Sequence, residues 1–259
     1  MTAYIISGLL VGFLVGLTGV GGGSLMTPLL VFLFGFAPKT AVGTDLLFAA
    51  ITKTGGTFVH HRSHRSVEWK IVLQLGAGSI PAAVTVIYLL ENVFKKDESV
   101  ASLITLTLGI ALIFTGLALF LRRRLARKSP VQRLTHRERF GRWQVPLTVL
   151  TGLILGVLVT LSSVGAGALG TVTLLFLYPR LATVRIVGTD LAHAIPLTAV
   201  AGLGHLHMGN VDFNLLGSLL IGSLPGIYLG SHLSARIPER LLQPILASVL
   251  LLIGAKCVF

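Results

Sequence analysis

The sequence predicts an all-α, polytopic membrane protein built from two inverted-topology repeats, with glycine-broken helices or re-entrant hairpins at its centre. Of its 259 residues, 53% are hydrophobic and 12% are charged, whereas a soluble domain carries about 25% charged residues. Apolar runs of roughly 20 residues, each long enough to span a bilayer, recur along the chain. The second half of the sequence also repeats the first half. Together, these observations favour a duplicated membrane protein.

The internal repeat divides the chain into a first transmembrane repeat (residues 1–121), a basic linker (122–144) and a second transmembrane repeat (145–259). Val42-Gly43-Thr44-Asp45-Leu46 recurs as Val187-Gly188-Thr189-Asp190-Leu191, 145 residues later. Duplicated units of this kind are typical of membrane transporters.

The basic residues predict the orientation of each repeat. Sixteen of the 21 Lys and Arg residues lie in loops that we assign to the cytoplasm, including the linker, which agrees with the positive-inside rule. The loop at residues 205–212 has no Lys or Arg and is predicted to lie outside. The first repeat then begins outside and the second begins inside, and both chain termini lie outside. Because this bias explains the net charge of +12, we predict no nucleic-acid partner.

The first repeat opens with an apolar run in which Gly8, Gly12 and Gly16 form a small-residue face suited to close helix packing. A break follows at Gly19-Val20-Gly21-Gly22-Gly23-Ser24, because each glycine inside a helix costs about 1 kcal/mol relative to alanine. The alternative reading is a tight turn between two packed helices. If a new helix begins after the break, its free N–H groups attract anions.

Spanning segments follow the break at residues 41–59, 71–90 and 101–121. In the second half, Ser162–Ala168 repeats Thr18–Ser24, so that Gly165, Gly167 and Ala168 stand where the first break stands. Whether the opening segments 3–36 and 145–178 span the membrane or are re-entrant stays open at this stage.

Four ionisable side chains lie inside predicted spanning helices, where such groups are costly and are candidates for function. Asp45 and Asp190 occupy matched positions and either carry a coupling ion or pin the helix breaks structurally. Lys53 either pairs with Asp45 or contacts an anion. If it pairs, it stabilises ionised Asp45 and favours Asp190 as the proton site. His193, on the same helix face as Asp190, either passes that proton on or packs between helices.

Motifs for enzymes, metals and cofactors give no positive indication. His60, His61 and His64 resemble a zinc-ligand group, but the predicted topology separates them from His205 by a bilayer, and histidines at helix ends explain them better. Nucleophile-elbow, Walker and HExxH motifs do not occur in the sequence. We therefore expect no metal, no cofactor and no enzymatic activity.

Gly12–Gly23 followed by Leu29 and Pro38, Ala41-Val42-Gly43-Thr44, and Val187-Gly188-Thr189 resemble the sulfite exporter TauE/SafE family of bacterial membrane transporters. The resemblance implies transport of a small sulfur-containing or organic anion, such as sulfite, sulfoacetate or a sulfonate, across the inner membrane. The family is usually described with seven or eight helices, whereas this chain has ten candidate segments. The family often has serine after Gly-Thr, where both halves here have aspartate.

These observations lead to a secondary anion transporter that works by alternating access, with an anion channel on the same scaffold as the alternative. We expect the substrate to contact Gly21, Gly22, Gly23, Ser24, Thr44, Lys53, Gly165, Gly167, Ala168 and Thr189. We expect Asp45, Asp190 and His193 to couple a proton or a sodium ion. The lipid bilayer is the surrounding partner, and the oligomeric state, monomer or homodimer, stays open.

Overall fold

The structure is a computed structural model that describes residues 1–18, 23–61, 67–93, 99–126, 141–233 and 239–258. These residues form helices joined by short connections, and they contain no β-strand. The helices are α1 (Thr2–Thr18), α2 (Gly23–Phe32), α3 (Pro38–His61), α4 (Trp69–Asn92), α5 (Ser99–Ala126), α6 (Gln144–Ser162), α7 (Ala168–Leu177), α8 (Thr183–His207), α9 (Phe213–Leu233) and α10 (Glu239–Val258). The predicted all-α class is confirmed for this part of the chain.

Five of the described helices are long and apolar enough to cross a membrane. They are α4, residues Val100–Leu121 of α5, α6, α8 and residues Phe213–Gly230 of α9. Large apolar side chains lie exposed on their outer surfaces, as Leu106, Ile110 and Leu117 do on α5. A continuous apolar surface of this kind suits contact with lipid rather than water. The helices therefore agree with the predicted polytopic membrane protein.

The helices pair mainly across the two halves of the chain. α1 packs along α9, and α4 packs along α6, which is the equivalent pairing with the halves exchanged. α3 packs against α8, and α5 packs against α10, so that each of these helices contacts its own counterpart. Neither half forms its core alone, and exchanging the halves reproduces the main contacts.

Glycines allow two of these pairings to be close. Gly8 and Gly12 of α1 lie against the backbone of α9, and Gly152 and Gly156 of α6 lie against the backbone of α4. A Cβ atom at any of the four positions would overlap a carbonyl oxygen of the neighbouring helix. The small-residue face predicted for the first helix is therefore a helix contact, and its repeat in α6 serves the same purpose.

The second glycine-rich stretch separates α6 from α7. Ser163, the residue after α6, has a left-handed backbone with φ of 58°, and Gly165 and Gly167 have φ values of 115° and 121°. Glycine adopts such angles without the steric cost that a Cβ brings. The equivalent stretch in the first half, residues 19–22, lies outside the described residues.

α6 and α7 form a hairpin whose two ends lie together. The side-chain Nε2 of Gln144, at the start of α6, donates a hydrogen bond of 2.5 Å to the carbonyl oxygen of Leu177, at the end of α7. The hydroxyls of Thr148 and Tyr178 lie 2.8 Å apart beside it. The chain therefore enters and leaves this hairpin at the same level, and its break lies at the opposite end.

Candidate functional site

Asp45 connects α3 to the short helix α2. Its side chain is completely buried, and its Oδ2 accepts hydrogen bonds from the Thr27 backbone N–H (3.2 Å) and the Thr27 hydroxyl (2.5 Å). A buried carboxylate needs such donors because it has lost its hydration. The aspartate therefore fixes α2, the helix that begins directly after the first glycine-rich stretch.

Asp190 makes the equivalent contact in the second half. The Thr171 hydroxyl donates to Asp190 Oδ2 at 2.8 Å and also lies 2.5 Å from the carbonyl oxygen of Gly167. Gly170 lies so close to the Asp190 carboxylate that a Cβ atom at that position would overlap it. Each aspartate therefore binds a threonine of a short helix beside its break.

Thr44 and Thr189, both predicted substrate contacts, bond to helix starts in the opposite half. The Thr44 hydroxyl accepts a hydrogen bond of 3.1 Å from the backbone N–H of Asp212, just before α9. The Thr189 hydroxyl accepts one of 3.0 Å from the backbone N–H of Glu68, just before α4. Helix starts have N–H groups without intrahelical partners, and these two threonines satisfy one such group each.

Lys53 is buried and interacts electrostatically with both aspartates. Both carboxylates lie near enough to attract its ammonium group. From the sequence, the expected ion-pair partner is Asp45 alone, because both residues lie on α3. The packing of α3 against α8 brings Asp190 into range as well, so that Lys53 serves the two halves together.

His193 connects α8 to α4 within the same cluster. Its Nε2 lies 2.8 Å from the hydroxyl of Ser79, and both side chains are completely buried. Lys53 lies near enough to act on this imidazole electrostatically. In the part of the chain that the structure describes, His193 Nδ1 has no hydrogen-bond partner. The structure therefore places Asp45, Asp190, Lys53 and His193 in one electrostatic cluster.

Ser163 belongs to this cluster, although the sequence analysis did not select it. Its hydroxyl lies beside the Asp45 carboxylate. Among the described residues, however, neither Ser163 Oγ nor Asp45 Oδ1 makes a hydrogen bond. The signal available in the sequence was a pair of serines at the edge of the second glycine-rich stretch. A buried hydroxyl at the end of α6 therefore lies close to the buried carboxylate of α3.

The breaks themselves are only partly visible. Gly21 and Gly22 lie outside the described residues, and Gly23 and Ser24 begin α2. Gly165, Gly167 and Ala168 lie buried at the second break. One apolar cluster contains Val164 and Ala168 from that break and is contacted by Leu25 from the start of α2. The starts of the two short helices therefore pack into the same region.

The described residues give no support for a zinc site at the histidines considered above. His64 lies outside the described residues, and His60 and His61 end α3 without described side chains. His205 is buried and its Nε2 lies 3.0 Å from the carbonyl oxygen of Thr160. Over the described ranges, no group of three potential metal-ligating side chains occurs.

Comparison with known proteins identifies the family. Residues 4–257 match the family described as "Sulfite exporter TauE/SafE". The probable membrane transporter protein YjnA of Bacillus subtilis is 40% identical over 261 residues, covering 98% of each chain. YdhB of the same organism, also named a probable membrane transporter protein, is 28% identical and covers 94% of this chain and 96% of its own. A probable membrane transporter protein of Methanocaldococcus jannaschii is 27% identical, covering 96% and 92%.

No solved structure matches the chain. The match of the family along the chain, together with several membrane-capable helices, makes this a multi-pass membrane protein. Its relatives are named as transporters rather than as enzymes. The chain belongs to the sulfite exporter TauE/SafE family of membrane transporters.

Proposed function

We propose that this protein is a secondary transporter that moves a small sulfur-containing or organic anion, of the sulfite, sulfoacetate or sulfonate class, across the bacterial inner membrane by alternating access. The observation that carries the proposal is the buried cluster of Asp45, Asp190, Lys53 and His193 beside a helix break. Ionisable groups at such depth are costly and mark substrate or ion pathways in membrane proteins.

The anion is proposed to bind at the start of α7. The first amides of a helix have no intrahelical acceptor and form the positive end of its dipole. In transporters, discontinuous helices direct such ends at anionic substrates. Gly165 and Gly167 bring no side chain between the backbone and a ligand, and Ala168 brings only a methyl group. The equivalent residues Gly21–Ser24 are proposed to complete the site from the first half.

Asp45 is proposed to carry the coupling proton. Lys53 lies within electrostatic range of both aspartates, and its single positive charge can balance only one of them. A proton on Asp45 Oδ1 removes the repulsion between this carboxylate and an arriving anion, and it also adds a donor. Proton and anion then favour each other's binding. This assignment reverses the order expected from sequence, in which Asp190 was the preferred proton site and His193 its relay.

Inverted topology is proposed for the two repeats, residues 1–121 and 145–259, with the basic linker in the cytoplasm and both termini outside. Two contacts support it. Glu68 forms an ion pair of 2.6 Å with Arg185 and receives the Thr189 bond, which places the starts of α4 and α8 at one level. Thr44 and Asp212 place the starts of α3 and α9 together in the same way.

Thiol labelling tests this topology. In a Cys257→Ser background, which removes the single natural cysteine, Lys70→Cys should react with an impermeant maleimide only from the cytoplasmic side. Met208→Cys should react only from the outside. Arg180→Cys is the matched control, because it precedes α8 and should label from the same side as Lys70→Cys. Labelling of positions 70 and 208 from one side would contradict the inverted arrangement.

Flux into proteoliposomes tests the function itself. Purified protein should take up ³⁵S-sulfite or sulfoacetate saturably and accumulate it when a pH gradient is imposed. Empty liposomes control for permeation of the protonated acid. Uptake that does not saturate and only equilibrates would indicate the anion channel instead. Replacing sodium by choline at fixed pH identifies sodium coupling, since only a sodium-coupled transporter loses accumulation under that change.

A further inference from the structure

Thr115 of α5 has a hydroxyl group that the fold leaves without a bond. The residue is completely buried, and across the described residues its Oγ1 has no hydrogen-bond partner. Leaving a buried hydroxyl unbonded costs free energy. A buried hydroxyl without a hydrogen bond therefore needs an explanation. One explanation is that it binds a ligand.

The other described threonines of α5 behave differently. Thr105 donates to the carbonyl oxygen of Ala101 at 2.8 Å, and Thr107 donates to that of Leu103 at 2.7 Å. Each thus bonds to its own helix four residues back, which is the usual arrangement for threonine in a helix. Thr115 makes no such hydrogen bond within its own helix, so its hydroxyl is available to a partner outside α5.

Thr115 lies on the inner face of α5. Ala111, Leu112 and Leu119, which lie three or four residues from it and so share its face, pack with Val164 and Ala168 at the break between α6 and α7. Leu25 at the start of α2 contacts the same cluster. The exposed residues of α5 lie on its opposite face. These neighbours place Thr115 on the face of α5 that packs into this cluster, to which Ala247 and Leu250 of α10 also belong.

We infer that Thr115 is a substrate-binding residue that donates its hydroxyl hydrogen to an oxygen atom of the bound anion, together with Ser163 and the first amides of α7. Ser163 is the second buried hydroxyl in this region without a hydrogen bond to any described residue. Two hydroxyl donors and a helix start suit a small oxyanion such as sulfite or a sulfonate. The inference rests on the proposed function and adds a contact that the repeat does not reveal.

Binding measurements test the assignment. In detergent, the thermal unfolding of the purified protein is followed against sulfite and sulfoacetate. Thr115→Val keeps the shape of the side chain and removes the donor, and should raise the apparent Kd about tenfold, the effect of losing one hydrogen bond to a charged ligand. Thr115→Ser should bind within twofold of the wild type. Thr107→Val is the matched control on the same helix and should also stay within twofold.

A second measurement is needed if the Thr115→Val substitution disturbs folding. Thr115→Cys in the Cys257→Ser background should react with a small methanethiosulfonate, and bound sulfite or sulfoacetate should slow that reaction. Wild-type-like Kd values for Thr115→Val, or no protection in a cysteine variant that still binds, would overturn the assignment. A wild type without any anion-dependent stabilisation would overturn the proposed function and this inference together. Protection combined with flux that never accumulates would support Thr115 as a contact and overturn alternating access.

Discussion

Asp45→Asn should abolish anion accumulation driven by a pH gradient and leave anion exchange in place. Asparagine imitates the protonated acid, because its oxygen can accept both hydrogen bonds from Thr27 while its amide group faces Ser163 as a donor. A permanently neutral residue can still cycle with the anion bound, but it cannot release a proton. Wild-type protein that couples one proton to each anion should accumulate substrate up to about tenfold per pH unit. The variant should only equilibrate.

Asp190→Asn is the matched variant for this experiment. It removes one of the two carboxylates that attract Lys53, and losing a partner of a buried charge is strongly destabilising. We therefore expect lower thermal stability and loss of both accumulation and exchange. If Asp45→Asn retains full pH-driven accumulation, or if Asp190→Asn alone shows the exchange-only behaviour, the assignment of the proton to Asp45 is wrong.

Gly170→Ala should inactivate the protein with the addition of a single methyl group. The new Cβ would overlap the Asp190 carboxylate, which is also held by the Thr171 hydroxyl. Either the carboxylate or α7 must then move, and overpacking of this kind costs about 1–3 kcal/mol. Because the proposed anion site is the start of α7, we expect transport to fall more than tenfold together with a lower melting temperature.

Gly217→Ala provides the control for this substitution. Gly217 lies in α9, and no atom of a neighbouring residue approaches the position that its Cβ would occupy. Alanine there should be neutral or stabilising, because it is the better helix former by about 1 kcal/mol. Wild-type transport and stability in Gly170→Ala would show that the contact between α7 and Asp190 is not needed.

Local patterns in the sequence predicted the features that depend on local spacing. Glycines four residues apart predicted the close face of α1, and the same spacing recurs at Gly152 and Gly156. The glycine-rich stretch after Ser162 predicted the end of α6, because backbone angles such as those of Gly165 and Gly167 favour glycine. Asp45 and Asp190 occupy equivalent positions in the two repeats, which indicated that both side chains belong to the same kind of site.

Contacts between the halves could not be predicted in this way. The hydroxyls of Thr44 and Thr189 bond to helix starts more than 100 residues away in sequence, which no local pattern indicates. The interaction of Lys53 with Asp190 depends on how α3 packs against α8. Thr115 resembles any threonine of an apolar helix until its missing hydrogen bond is seen.

The pairing of α1 with α9 has a consequence for how the protein is made. At a synthesis rate of 5–20 residues per second, Phe213 emerges roughly 10–40 s after Thr2. During that interval the glycine face of α1 has lipid where α9 will later lie. The interval is shorter for α4, because its partner α6 is synthesised roughly 4–15 s later at the same rate. The helix α1 therefore waits longer than α4 for its partner, and the second half of the chain completes the packing of the first.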